Sequence, residues 1–222
     1  DFTTSNYTTV TGSGTSTMVV SDAASGDNAV TFVNTTISGF TTITTDHGNS
    51  VLSLDAASIS GATTLIGDAA SDITITEAGD YSNITITAGD YDDVLVNSAT
   101  ATFDEGFFVG TGINLLDDGA AGADPVVTVA MSAAGTLNMS AVLVGTTNGL
   151  DVVVTGTTGN DTIYAPDALK AGSSFSVTTG AGSDIIRIEN TSGNGYTAGA
   201  NAFTAVIADA VAVVDFDAAT DV

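Results

Sequence analysis

ITITEAGDYSN (73–83), ITITAGDYDD (84–93) and VLVN (94–97) follow one another without interruption. The first two each set a four-residue alternation of apolar and polar side chains ahead of an acidic turn, and the third begins the pattern again. A tandem unit of ten or eleven residues is too short to be a helical repeat and fits one rung of a β-solenoid. In each strand the first and third residues (Ile73 and Ile75, Ile84 and Ile86, Val94 and Val96) point one way, and Thr74, Thr76, Thr85 and Thr87 point the other. The predicted fold is therefore all-β, a β-solenoid resembling a parallel β-helix. An antiparallel β-sandwich with acidic turns is the alternative that two clear repeats leave open.

On that reading the turns Gly79-Asp80 and Gly89-Asp90-Tyr91-Asp92-Asp93 bring carboxylates together wherever rungs stack. Like charges so placed call for a counter-ion, and Ca2+ prefers oxygen ligands of this kind. Asp80, Asp90, Asp92 and Asp93 are candidate ligands.

Composition supports a cation as partner. The 222 residues carry 26 acidic against two basic side chains, a formal charge of −24. Glu occurs only at Glu77, Glu105 and Glu189, so the charge is nearly all Asp, which suits tight turns and ion ligation better than helix surfaces. Lys170 and Arg187 cannot neutralise a run of phosphates, which excludes nucleic acid, and the negative field opposes anionic membranes. With 43% hydrophobic residues the chain has material for a packed core. It has no Cys, so a bound ion could take the place of a disulfide staple in a secreted protein. No apolar run is long enough to span a bilayer, and the Met-less start reads as a processed product or part of something longer.

Strands and turns alternate along the chain, with strands expected at residues 16–20, 29–33, 40–44, 51–54, 63–66, 126–130, 136–139, 142–144 and 150–154 and no helix anywhere. The polar start, residues 1–25, reads as an edge strand or an arm for a neighbouring subunit. Residues 103–124 break the rhythm and read as a loop in which Asp117, Asp118 and Asp124 are candidate ion ligands. The expected division is 1–150, Thr- and Asp-rich, and 151–222, calcium-binding, unless the two form one continuous domain.

GTTGNDTIY (156–164) and TGAGSDIIR (179–187) approximate the nine-residue pattern G-G-x-G-x-D-x-U-x, with U a large apolar residue. Glycines there permit tight turns, the Asp offers a carboxylate to an ion between successive turns, and U is buried in the strand that follows. Gly159, Asn160, Asp161, Gly180, Gly182 and Asp184 occupy these roles, with Asp167 as an additional candidate. Thr157 and Thr179 stand where the pattern has glycine. The 23 residues between Asp161 and Asp184 are not a multiple of nine.

Here the sequence resembles the RTX family of secreted calcium-binding proteins. The closing stretch VVDFDAATDV (213–222), with Asp215 and Asp217, is similar to the segment that often ends an RTX block. The Thr-, Ala-, Gly- and Asp-rich remainder resembles bacterial surface-layer proteins of the RTX-secreted type and related giant adhesins. The resemblance implies a secreted, extracellular protein of the cell surface, ordered by Ca2+, whose partners are copies of itself in a lattice or filament, with cell-surface polysaccharide as a further candidate.

Catalytic material is sparse: one histidine, His47, no thiol, and a Ser13 outside any nucleophile-elbow context, so no enzyme is expected. The expected function is a calcium-ordered, self-assembling structural subunit. The alternatives are a module of a large RTX adhesin, or an ice- or carbohydrate-binding solenoid presenting Thr74, Thr76, Thr85 and Thr87 on one outer face.

Overall fold

In the computed structural model the described residues are 9–21, 29–32, 36–46, 51–56, 58–87, 91–97, 100–108, 112–117, 124–145, 149–166, 168–169, 172–188, 202–206 and 212–213. The candidate residues His47, Asp90, Asp118, Asp167, Lys170, Asp215 and Asp217 lie outside them, and so do residues 1–8 and 22–25 of the polar start.

Short strands stack side by side, all in parallel, as a β-solenoid of about six turns. Every strand pairing among the described residues is parallel, which sets aside the antiparallel sandwich. Each turn of the coil passes through three faces. The first face holds Ala29–Phe32, Val51–Leu54, Asp72–Ile75, Asp93–Val96, Asn114–Asp117, Leu143–Val144 and Ala168–Leu169 in that spatial order. The second holds Gly79–Asp80, Thr100–Phe103, Val126–Ala130, Asp151–Thr155, Ser174–Thr178 and Ala202–Val206.

The third face is built in two parts. Thr9–Ser21, Thr36–Asp46, Thr63–Ile66 and Ile84–Ile86 form one sheet, and Thr136–Asn138, Thr162–Tyr164, Ile185–Arg187 and Ala212–Val213 form another. Between them sits a short 3-10 turn, Glu105–Phe108, which packs against Ile84–Ile86 on one side and Thr136–Asn138 on the other. The first and second faces run on past residue 150: Val126–Ala130 pairs with Asp151–Thr155, and Leu143–Val144 with Ala168–Leu169.

The coil is longer than the tandem unit. Ile73 stacks on Val94, 21 residues on, while Ile84 pairs with Thr63 in a different sheet. One turn therefore contains two of the ten- or eleven-residue units, one on the first face and one on the third. The Thr-x-Thr array expected from 74, 76, 85 and 87 does not form, because Thr74 stacks between Ser53 and Leu95 and Thr85 stacks on Thr64.

Parallel in-register stacking turns the strand alternation into columns. Leu52, Ile73, Val94, Leu115 and Val144 form one on the first face, each fully buried. Ala101, Val127, Val152 and Phe175 form another on the second. Each fully buried Leu, Ile or Val contributes roughly 1.5–3 kcal/mol relative to exposure, so the shared core makes the coils interdependent. At the 3-10 turn Phe103, Phe107 and Phe108 fill the interior together with Tyr81, with 4.3 Å between the Phe103 and Phe107 ring centroids. The region expected as a loop thus contains this turn and the strand Asn114–Asp117, which continues the first face.

Candidate functional site

The two glycine- and Asp-containing turns occupy the same corner, between the second and third faces, one directly above the other. Register places Ile163 on Ile186, so Asp161 stacks on Asp184 and the 23-residue separation is one coil of the solenoid. The spacing that departs from a nine-residue roll is regular for this coil.

Asp161 is 1% exposed and fully engaged as an acceptor. Its Oδ2 accepts from Thr157 N–H at 2.7 Å and from the Thr157 hydroxyl at 3.0 Å, and its Oδ1 accepts from Gly135 N–H of the preceding coil at 3.2 Å. Thr157, a departure from the motif, is therefore part of the turn's own cap. The Asp161 N–H in turn donates to Asp184 Oδ1 at 2.9 Å. Each aspartate accepts from the main chain of the coil before it.

Asp184, also 1% exposed, is used differently. Its Oδ2 has no hydrogen-bond partner among the described residues, nor does Oγ1 of Thr179 at the start of the same turn, and both atoms are buried. The turn carrying them needs glycine: Gly180 has φ +85° and Gly182 φ +129°, and a Cβ on either would run into the carbonyl oxygen of Thr157 or Gly159. Asn160 Oδ1 accepts from Ser183 N–H at 2.8 Å, so Asn160 ties the two turns together. Gly159 lies in the upper turn, its N–H held by Thr157 Oγ1 at 3.1 Å.

A second acidic column lies on the outside of the first face. Asp72 stacks on Asp93 and Asp93 on Asn114, whose Nδ2 donates to Asp93 Oδ1 at 2.6 Å. Burial pushes the Asp72 carboxyl above the usual carboxylate range, and the charges of Asp93 and Asp92 push it further. The sequence reading missed Asp72 and Asn114. The signal is the recurrence of Asp72, Asp93 and Asn114 at intervals of 21.

The other candidates are dispersed. Asp80 is exposed on the second face and accepts from Ser82 N–H at 2.9 Å, and hydrogen bonds from Ser82 hold its carboxyl below the usual range. Asp117 ends a first-face strand beside Val96, whereas Asp124 lies next to Gly149 ahead of the second face. No group of three His, Cys, Asp or Glu side chains able to hold a metal occurs among the described residues. Arg187 stacks on Tyr164, its guanidinium 5.2 Å from the ring centroid.

Set against protein-family models, curated proteins and solved structures, the chain finds no match in any of the three. The reading of its function rests on its own residues.

Proposed function

We propose that this chain is an extracellular structural subunit, ordered by Ca2+ and assembling with copies of itself into a surface layer or filament. The observation that carries this reading is the stacking of carboxylates on adjacent coils, Asp72 on Asp93 and Asp161 on Asp184, in a chain with net charge −24. Charge of one sign stacked on neighbouring coils opposes compaction, and a bound divalent cation relieves it.

The two stacked corner turns fit calcium unequally. The Asp161 carboxylate already receives N–H and hydroxyl donors, which leaves it a capping role. Asp184 Oδ2 and Thr179 Oγ1 are buried oxygens without hydrogen-bond partners among the described residues, the feature expected of atoms that hold a cation. Asp184 and Thr179 would hold the ion, and Ca2+ would neutralise a charge that is otherwise buried unpaired. Self-association would draw on the same parallel stacking, by strand addition from a second copy.

Far-UV circular dichroism and light scattering on the purified chain, with millimolar Ca2+, with chelator and with Mg2+, test this reading. Calcium-specific gain of β-structure or assembly is the expected result. A chain that is equally folded and monomeric in all three conditions would overturn it.

A further inference from the structure

The outer surface of the first part of the third face carries an array that the sequence reading did not place. Register aligns Thr17, Thr42, Thr64 and Thr85 on four consecutive coils, and beside them Val19, Thr44 and Ile66. Thr87, whose N–H donates to Leu65 O at 3.2 Å, completes the second rank. All eight point away from the core, because Met18, Ile43, Leu65 and Ile86 between them are buried.

Three properties distinguish these ranks. None of the eight residues is charged, although acidic residues are spread through the rest of the chain. All eight are β-branched, so each side chain is stiff at χ1 and the array is rigid before it meets a ligand. It also contains Val19, 57% exposed, the one large apolar side chain open to solvent among the described residues. Thr64 Oγ1 and Thr85 Oγ1 lie 3.1 Å apart, so the hydroxyls of these two coils are linked.

We infer that this face binds the surface of ice. Adjacent strands set the array's repeat at about 4.8 Å and alternate residues along a strand at about 6.6 Å, a regular two-dimensional grid on which water can order. Threonine offers a hydroxyl that joins a water lattice and a methyl that sits in its hollows. A carboxylate would orient water against that lattice, and the ranks hold none. Aromatic platforms, the usual means of gripping a sugar ring, are absent from them too. The face ends where the 3-10 turn begins, with Gly106 packed against Thr85.

This inference does not depend on calcium-driven assembly. The test is partition of the intact chain into a slowly growing ice hemisphere, together with inhibition of ice recrystallisation, with circular dichroism and light scattering on each protein. The wild-type chain should enter the ice and suppress recrystallisation. Thr64→Tyr and Val19→Lys should lose both effects, while Thr128→Tyr, on the outside of the second face, should keep them. Val19 is exposed, so its variant tests the face even where Thr64→Tyr fails to fold. Exclusion of the wild type from ice would overturn the inference, as would folded Thr64→Tyr or Val19→Lys proteins that still partition. It would equally be overturned by a wild type that stays out of ice and pairs through this face with a second copy.

Discussion

Asp161 and Asp184, one coil apart, are joined through the Asp161 N–H and Asp184 Oδ1 at 2.9 Å, yet their carboxylates do opposite work. Asp161 saturates its oxygens with donors from two coils, and Asp184 leaves one buried oxygen without a donor among the described residues. Asparagine separates the two roles. In Asp161→Asn an amide NH2 replaces an oxygen that receives N–H donors, so donor faces donor inside the fold. We expect a loss of about 3 kcal/mol in urea unfolding with chelator present. Asp184→Asn keeps its one acceptor and removes an unpaired buried charge, so it should cost under about 1 kcal/mol without calcium and abolish the calcium response. Equal costs for the two variants would contradict the division of roles.

Glycine is required by the close approach of stacked turns more than by the turn conformation itself. Gly61 has φ +98° with nothing within 4 Å of a Cβ, whereas at Gly180, φ +85°, a Cβ would meet the Thr157 carbonyl. Gly61→Ala should therefore lose only the left-handed backbone preference, about 1–2 kcal/mol. Gly180→Ala must also push two coils apart. We expect it to cost more than about 3 kcal/mol, read from thermal or urea midpoints of the two variants side by side.

Two carboxylates should give opposite pH responses. Asp72 has its folded-state pKa raised by burial and by Asp93 and Asp92, so the native state binds the proton more tightly than the unfolded chain. Its ionisation removes stability as pH rises from the ordinary carboxylate range through that raised value. Burial also works against the Glu105 charge, but Ser132 N–H and the Ser132 hydroxyl, both at 2.8 Å, outweigh it and leave the pKa below normal. Its contribution is present above the ordinary carboxylate range and lost as pH falls through the lowered value. Asp72→Asn should thus stabilise at pH 7 by roughly 0.2–1 kcal/mol, the scale of a cross-strand pair, with the gain vanishing in acid. Glu105→Gln should destabilise at pH 7 and converge with wild type in acid. Urea midpoints across pH for both variants check the two signs.

Strand chemistry was legible because alternation at period two is local: Ile73, Ile75, Ile84 and Ile86 are buried as their pattern requires. The coil length was not, because ITIT at 73–76 and ITIT at 84–87 share one alternation while lying on different faces of the same turn. Identical local patterns do not reveal which strand stacks on which. The 21-residue interval was present in Asp72, Asp93 and Asn114, and it also carried the strand Asn114–Asp117 that local turn residues disguised as a loop. The paired turns at 156–161 and 179–184 were found from sequence, because glycine and aspartate are specific to such corners. The fate of their carboxylates depends on Gly135 of another coil, which no spacing announces.

The joint at Glu105–Phe108 is where the coils are most dependent on side chains. Across it the third face has no strand, and continuity there rests on Phe103, Phe107 and Phe108, with Gly106 N–H held by Asp104 Oδ1 at 2.8 Å and Ser132 bound to Glu105. Stacked coils interact mainly with their neighbours, so one weakened interface can divide the array into separately melting blocks. Phe107→Ala removes the ring that lies 4.3 Å from Phe103 and should cost about 3–5 kcal/mol. Its urea transition should also broaden, with a lower m-value, as the coils before and after the joint lose their coupling. Ile163→Ala, buried within an unbroken ladder between Leu137 and Ile186, should shift the midpoint at constant m. If both variants keep the wild-type slope, the two continuous faces alone carry the cooperativity, and the aromatic joint only fills space.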